Sequence, residues 1–341
     1  MKNEHRSIVG DTCRWLATIF LLLPQSRSCS AREILVNGRS SELAIRNAGD
    51  HALRITLRPI AAVEELPFSP AIADRQEEEP FIRIRDVERQ MTTRGGGFAI
   101  TIAADPLTLT IADAEGRQVQ RLTFESSGEL TFDTGPQPIL GMGEGGPPLR
   151  GDWRNASVEF DRRGRLHAMK PRWQANAYGS RNPVGLLVGT SGWALWVATP
   201  WGQFDLREAE RGVFSPWGPR TRREDAQGEP DSTGSSSAAN QGRPPTSDEL
   251  AGYFDVFVFD AQKPEEFFAD LSAITGPSVM PPKWSLGYMQ SHRTLQSDAQ
   301  MVEIVKTFRE KQIPLDAVIY LGTGFTPRGW NTEQPSFEFN P

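Results

Sequence analysis

The stretch TGPSVMPPKWSLGYMQSHRTLQSDAQMVEIVKTFREKQIPLDAVIYLGTGFTPRGWNTEQPSFEFNP, residues 275–341, decides the fold. A proline-rich entry (Pro277, Pro281, Pro282) leads into an apolar run at 284–289, which reads as a strand. A polar connection follows. Over 297–311 the apolar residues Met301, Ile304, Val305 and Phe308 recur at i, i+3, i+4 and i+7, one stripe of a helix. Ser297 or Asp298 caps its start and Pro314 ends it. A second apolar run fills 317–321. Strand, helix and strand in that order imply parallel strands with a right-handed crossover, the opening unit of a (β/α)8 barrel. Such a barrel takes roughly 250 residues, and about sixty follow Lys283. The expectation is a barrel that is only begun within these residues.

Upstream of this unit the periodicity changes from helical to two. In the segment 51–60, Leu53, Ile55 and Leu57 alternate with Arg54, Thr56 and Arg58, which predicts a half-buried strand. Runs at 81–87, 98–103, 107–111, 119–124 and 129–132 repeat the pattern. Turn signals separate them: Gly95 to Gly97, Asp105-Pro106, Glu115-Gly116 and Ser127-Gly128. The pattern implies a strand-rich domain up to about residue 260. Residues 218–249 are polar and rich in Gly, Ser and Pro, a composition that buries too little apolar surface to order itself, and they read as a mobile insertion. A short strand near 253–259 follows. A linker helix over 264–274 then begins at Pro264, with Glu265 and Glu266 at its positive end, and stops at Thr275-Gly276-Pro277.

At the N-terminus Lys2, Arg6 and Arg14 precede an apolar run at 15–23, broken by Pro24 and followed by the small-residue stretch SCSA (28–31). This fits a Sec signal peptide over 1–31, cleaved after Ala31, and nine residues are too few to span a bilayer. A buried N-terminal helix is the alternative. Cys29 has no leucine at the third position upstream, which argues against a lipid anchor. The expected destination is the periplasm or the exterior, with no membrane attachment after cleavage. Both cysteines, Cys13 and Cys29, fall inside the signal, so a mature chain has no disulfide and no thiolate chemistry. Of the histidines only His51, His167 and His292 would remain, without metal-ligand spacing, so neither a metal nor another cofactor is expected. The net charge of -6 and the absence of a long basic run exclude a nucleic-acid partner. The Gly- and Pro-rich run at 139–151 has no GK[ST] and no helix pattern behind it, so it reads as a backbone turn, not a phosphate loop.

The run PPKWSLGYMQS, with the helix ending FREKQIPLDAVIY, resembles the first βαβ unit of the glycoside hydrolase family 31 barrel. YLGTGF, GWNT and SFEFNP are similar to one bacterial branch of that family. LGMGE (140–144), NPVGLLVGTSGWALWV (182–197) and GYFDVFVFDAQKPEEFFADLSAITG (252–276) resemble its N-terminal β-sandwich. The resemblance implies a mainly β chain: a galactose-mutarotase-like β-sandwich over 32–276, followed over 277–341 by the start of a (β/α)8 TIM barrel. It also implies hydrolysis of O-glycosyl bonds in α-linked glycosides or oligosaccharides. The reaction would be a retaining double displacement between two carboxylates about 5–5.5 Å apart. In the family those carboxylates sit on later barrel strands, so no catalytic residue is assigned here and these residues alone are expected to be inactive. Glu333 and Glu338 match no catalytic motif.

The remaining site expectations concern the barrel mouth, where the ends of parallel strands build active sites. Gln290, Ser291, His292 and Arg293 end the first strand. His292 and Arg293 are candidates for substrate contact, with a structural strand exit as the alternative. After the second strand many family members carry a sugar-binding aspartate, where this sequence reads Gly322, Thr323, Gly324 and Phe325. Trp330, by stacking, and Asn331, by hydrogen bonding, are candidates to replace it, with core packing the alternative for Trp330. Most other tryptophans are expected in the core. Trp193 and Trp196 are expected on opposite faces of one strand or at one interface. A non-catalytic carbohydrate-binding β-sandwich is the rival function. Mutarotase chemistry needs a His and a Glu facing one cleft, and the sandwich offers only His51 and His167.

Overall fold

The computed structural model describes residues 31–62, 69, 71–73, 78–144, 160–170, 182–199, 201–216, 252–292 and 297–320. The predicted signal peptide and the insertion at 218–249 lie outside these residues. The chain divides into two compact units, Met1–Ile274 and Thr275–Pro341.

The first unit is built from two large sheets. One runs, edge to edge, through Leu166–Ala168, Gly202–Asp205, Glu210–Pro216, Leu130–Gly135, Gln118–Phe124, Leu107–Ala112, Phe98–Ala103 and Gln90–Gly95. The other runs through Ile139–Gly141, Leu186–Gly189, Trp193–Val197, Phe254–Asp260, Ala52–Pro59, Arg39–Asn47 and Leu35–Val36, with Ile82–Ile84 pairing off the path to Arg39–Asn47. Every pairing in both sheets is antiparallel. The predicted period of two turns Phe98, Ile100 and Ile102 inward, and the facing strand supplies Leu43 and Ile45. These side chains meet in one apolar core with Phe124, Phe132, Phe204, Phe214 and Phe254.

The segment predicted as a half-buried strand behaves differently. In Ala52–Pro59 both faces are buried: Arg54 is 6% exposed and Thr56 3%. The polar face stays dry because it is paired. Arg54 donates two bonds to Asp255, at 2.8 and 2.7 Å, and Arg58 donates to Glu42. Beside these pairs the same outer face carries a second apolar cluster, in which Trp196 stacks on Phe257 at 5.0 Å. Helix α1 (Pro264–Thr275) covers it with Phe267 and Ile274. Trp193 instead turns into the main core, edge-on to Phe132. The two tryptophans therefore face opposite ways.

The second unit is a parallel strand pair joined by a helix. Met289–His292 pairs with Ala317–Tyr320, and α2 (Asp298–Glu310) lies between them in sequence. Ser297 is the N-cap and accepts a bond from the Gln300 amide. The predicted stripe of Met301, Ile304, Val305 and Phe308 is half-buried, while Val302 is exposed. The apolar run at 284–289 is a correction. Lys283–Leu286 is a 3-10 turn, and Trp284, Leu286 and Tyr288 are exposed. Pro281 and Pro282 donate no amide bond, Ser285 bonds back to the Pro282 carbonyl, and the Gly287 amide bonds to Trp284. The strand begins only at Met289.

Candidate functional site

Two regions match the stretches singled out in the sequence. The first is the C-terminal edge of the parallel pair. Its register sets Met289 beside Ala317, Gln290 beside Val318, Ser291 beside Ile319 and His292 beside Tyr320. Both chains therefore leave the sheet at one edge, side by side, as a ligand-binding strand edge requires. The entry to the pair is fixed locally. A Cβ on Gly287 would fall on the Asp316 carboxylate, which would have to swing aside to admit a larger residue. The Asp316 amide bonds to the Tyr288 carbonyl at 2.9 Å, the Tyr288 ring stacks on Phe308 of α2 at 5.8 Å, and its hydroxyl donates to Gln290 at 2.7 Å. Arg309 donates to the Leu315 carbonyl, tying the end of α2 to the start of the second strand.

Of the predicted contacts, His292 ends the first strand directly opposite Tyr320. Arg293, Trp330 and Asn331 lie outside the described residues, as do the glycines at 322 and 324. The structure thus brings the two strand exits together and leaves these three side chains unassigned in space.

The second region is the LGMGE stretch of the first unit. Gly141, Met142 and Gly143 all have positive φ (94, 65 and 74°). A Cβ on Gly143 would fall on the Asn182 carbonyl, so the close approach of two backbones excludes any larger residue there. Met142 carries a cost of order 1–2 kcal/mol for this conformation, and its complete burial in the main core offsets it. The arch is clamped from outside. Arg162, 5% exposed, donates to the carbonyls of Gly141 at 2.9 Å and Gly143 at 3.4 Å. Next to it Asp161 accepts from Arg163 and from the Ile139 amide, and these bonds hold its carboxyl down at about 2 despite partial burial. At the end of the arch Glu144 bridges Asn182 and accepts a bond from its side-chain amide at 3.1 Å. The sequence showed a turn here, but the role of Arg162, twenty residues downstream of a glycine run, leaves no local signal. His51 and His167 face different partners: His51 lies 3.2 Å from Glu266, and His167 is buried against the Arg162 carbonyl at 2.7 Å.

The class these elements define is coarse: a mainly antiparallel two-sheet unit followed in sequence by a parallel strand–helix–strand unit. Residues 278–341 match the family model described as the glycosyl hydrolases family 31 TIM-barrel domain. Alpha-glucosidase 2 of Bacillus thermoamyloliquefaciens is 43% identical over 70 residues, covering 20% of this chain and 9% of that protein. The 1,6-alpha-glucosyltransferase of Sporosarcina globispora is 26% identical over 260 residues, covering 73% of this chain and 18% of that one. In structure the chain is similar to the family 31 dextranase of Flavobacterium johnsoniae, with a TM-score of 0.58 at 15% identity, over 84% of this chain and 32% of the dextranase. The last likeness concerns the fold alone. These comparisons support a member of glycoside hydrolase family 31, with the match to its barrel domain confined to residues 278–341. It spans less than a fifth of the curated relatives' length.

Proposed function

We propose that the whole protein hydrolyses α-linked glycosides by the retaining two-carboxylate route of its family, without a cofactor. In this reading the two-sheet unit is the family's mutarotase-like N-terminal β-sandwich. The strand pair Met289–His292 and Ala317–Tyr320 opens its TIM barrel, and the edge at His292 and Tyr320 is part of the barrel mouth. The match of residues 278–341 to the barrel domain carries the reading. His292, Arg293, Trp330 and Asn331 line substrate, and the catalytic pair comes from later strands, so these 341 residues alone turn over no glycoside. The protein acts outside the cytoplasm, as the N-terminal segment suggests.

One observation favours a narrower substrate class. The relatives named for α-glucosidase and α-xylosidase activity match over 70 and 77 residues only, whereas a 1,6-α-glucosyltransferase matches over 260. The long match takes in the N-terminal unit, which favours α-glucans with 1,6 linkages. The test is an assay of a form carrying the later barrel strands, on isomaltotriose, aryl α-glucoside and aryl α-xyloside. The anomer released first is followed by proton NMR. Turnover with an α-anomeric product is expected, fastest on isomaltotriose. A β-anomeric product, or no turnover on any α-glycoside, overturns the reading.

A further inference from the structure

We propose that the N-terminal unit holds a saccharide-binding site of its own, remote in sequence from the strand edge at His292. The site is a cavity of about 610 Å³ between the turn after Arg39–Asn47, the Gly96 and Gly97 turn, and the C-terminal half of α1. That volume lies within the range of small-ligand sites, roughly 300–1,000 Å³.

The chemistry of the lining selects the ligand. Two guanidiniums, those of Arg46 and Arg54, are almost fully buried in its floor. Arg54 is held in one orientation by its double bond pattern to Asp255 and lies 5.2 Å over the Phe257 ring. Three carboxylates line the rest. Asp270, 7% exposed, accepts from the backbone amides of Asp50 and His51 at 3.2 and 2.7 Å. Each of its oxygens keeps a further lone pair. Asp50 and Glu78 are exposed at the mouth. The lining therefore sets guanidinium groups on one side and carboxylate acceptors on the other. With Asp255 already neutralising Arg54, the lining sets Arg46 against three carboxylates, so the cavity has no positive excess for a phosphate or a carboxylate ligand. A neutral ligand whose groups each donate and accept fits both sides, which describes the hydroxyls of a sugar. Ile72 and Ile274 add apolar wall for its C–H faces.

The choice of sugar rests on the α-glucan reading above, so the probe is isomaltotriose, added to the 341-residue chain and followed by saturation-transfer NMR. Ala273 lines the cavity from the exposed side of α1. Saturation transfer is expected from the unaltered chain, with a loss of at least about tenfold in affinity in Ala273→Trp and in the pair Asp50→Ala with Glu78→Ala. Circular dichroism of both variants should match that of the unaltered chain. Inorganic phosphate should not compete. No transfer at millimolar isomaltotriose, undiminished transfer in both variants, or competition by phosphate overturns the site. Failure here with hydrolysis intact in the longer form removes this site alone, whereas loss of hydrolysis removes the family reading.

Discussion

Glu42 shows how a charged residue ends up inside the second sheet. Its side chain is 3% exposed, and it accepts from Arg58 at 3.0 Å, Arg83 at 2.9 Å and Arg85 at 2.8 Å. Burial pushes its carboxyl up, but the three guanidinium bonds outweigh burial and hold it at about 2, against an ordinary 4.5. A depressed folded-state value contributes stability that is present above pH 4.5 and is lost as pH falls through about 2. A shift of about 2.5 pH units corresponds to about 3 kcal/mol. Urea unfolding at pH 7, 4 and 2.5 should show the unaltered protein losing this stability in acid. Glu42→Gln should cost about 2 kcal/mol at pH 7 and flatten the slope below pH 4.5. An unchanged slope in the variant would remove Glu42 as its origin. Little of this was legible in the sequence. Alternation marked Arg54, Thr56 and Arg58 as the wet side of a strand. Their partners come from other strands, with Glu42 standing 16 residues from Arg58 and Asp255 standing 201 residues from Arg54. Period-two patterns report which face is polar, and whether that face is wet depends on what the topology lays beside it.

At the scale of elements, the helices were legible and the start of the first parallel strand was not. The stripe of α2, its Ser297 cap and the acidic first turn of α1 are local signals, and each appears where expected. The run at 284–289 has the composition of a strand but sits behind two prolines, and short-range bonds from Ser285 and Gly287 wind it into a turn. Periodicity over so few residues does not separate the two. The end of α2 supports a sharper prediction. Gln312 has φ 56°, its amide bonds to the Arg309 carbonyl, and the Ile313 amide reaches back to Phe308 at 2.9 Å. This is a Schellman ending, with glutamine where glycine is favoured. Removing the side chain relieves a left-handed penalty of order 1–2 kcal/mol and returns part of it as unfolded-state entropy. Gln312→Gly should therefore stabilise the second unit by about 0.5–1 kcal/mol, read as slower amide exchange in α2. Faster exchange would mean that the glutamine side chain makes a compensating contact.

For the whole molecule the question is whether the first unit depends on the second. Both apolar clusters of the first unit draw every member from residues 34–274, and α1 closes the outer one with Phe267 and Ile274. Among the described residues, none after Thr275 is a member of either cluster. The second unit differs. Val279 is 92% exposed, Met280 81% and Leu286 69%, and among the described residues its strand pair is accompanied by the single α-helix α2. Parallel strands are ordinarily buried on both faces, and open strand edges beside exposed apolar groups favour association. Sequence alone marked the change from period two to helical spacing near Gly276, and the compact units divide at Ile274. Deleting residues 275–341 should therefore leave the far-ultraviolet circular dichroism of the first unit and its melting temperature within about 2 °C of the parent transition, since no core side chain is lost. Solubility should rise, measured as monomer recovered by size-exclusion chromatography. A melting temperature lowered by about 8 °C or more would correspond to over 2 kcal/mol of lost stability. That outcome would show that the sheets draw support from residues beyond α1, and the two units would have to be treated as one cooperative structure.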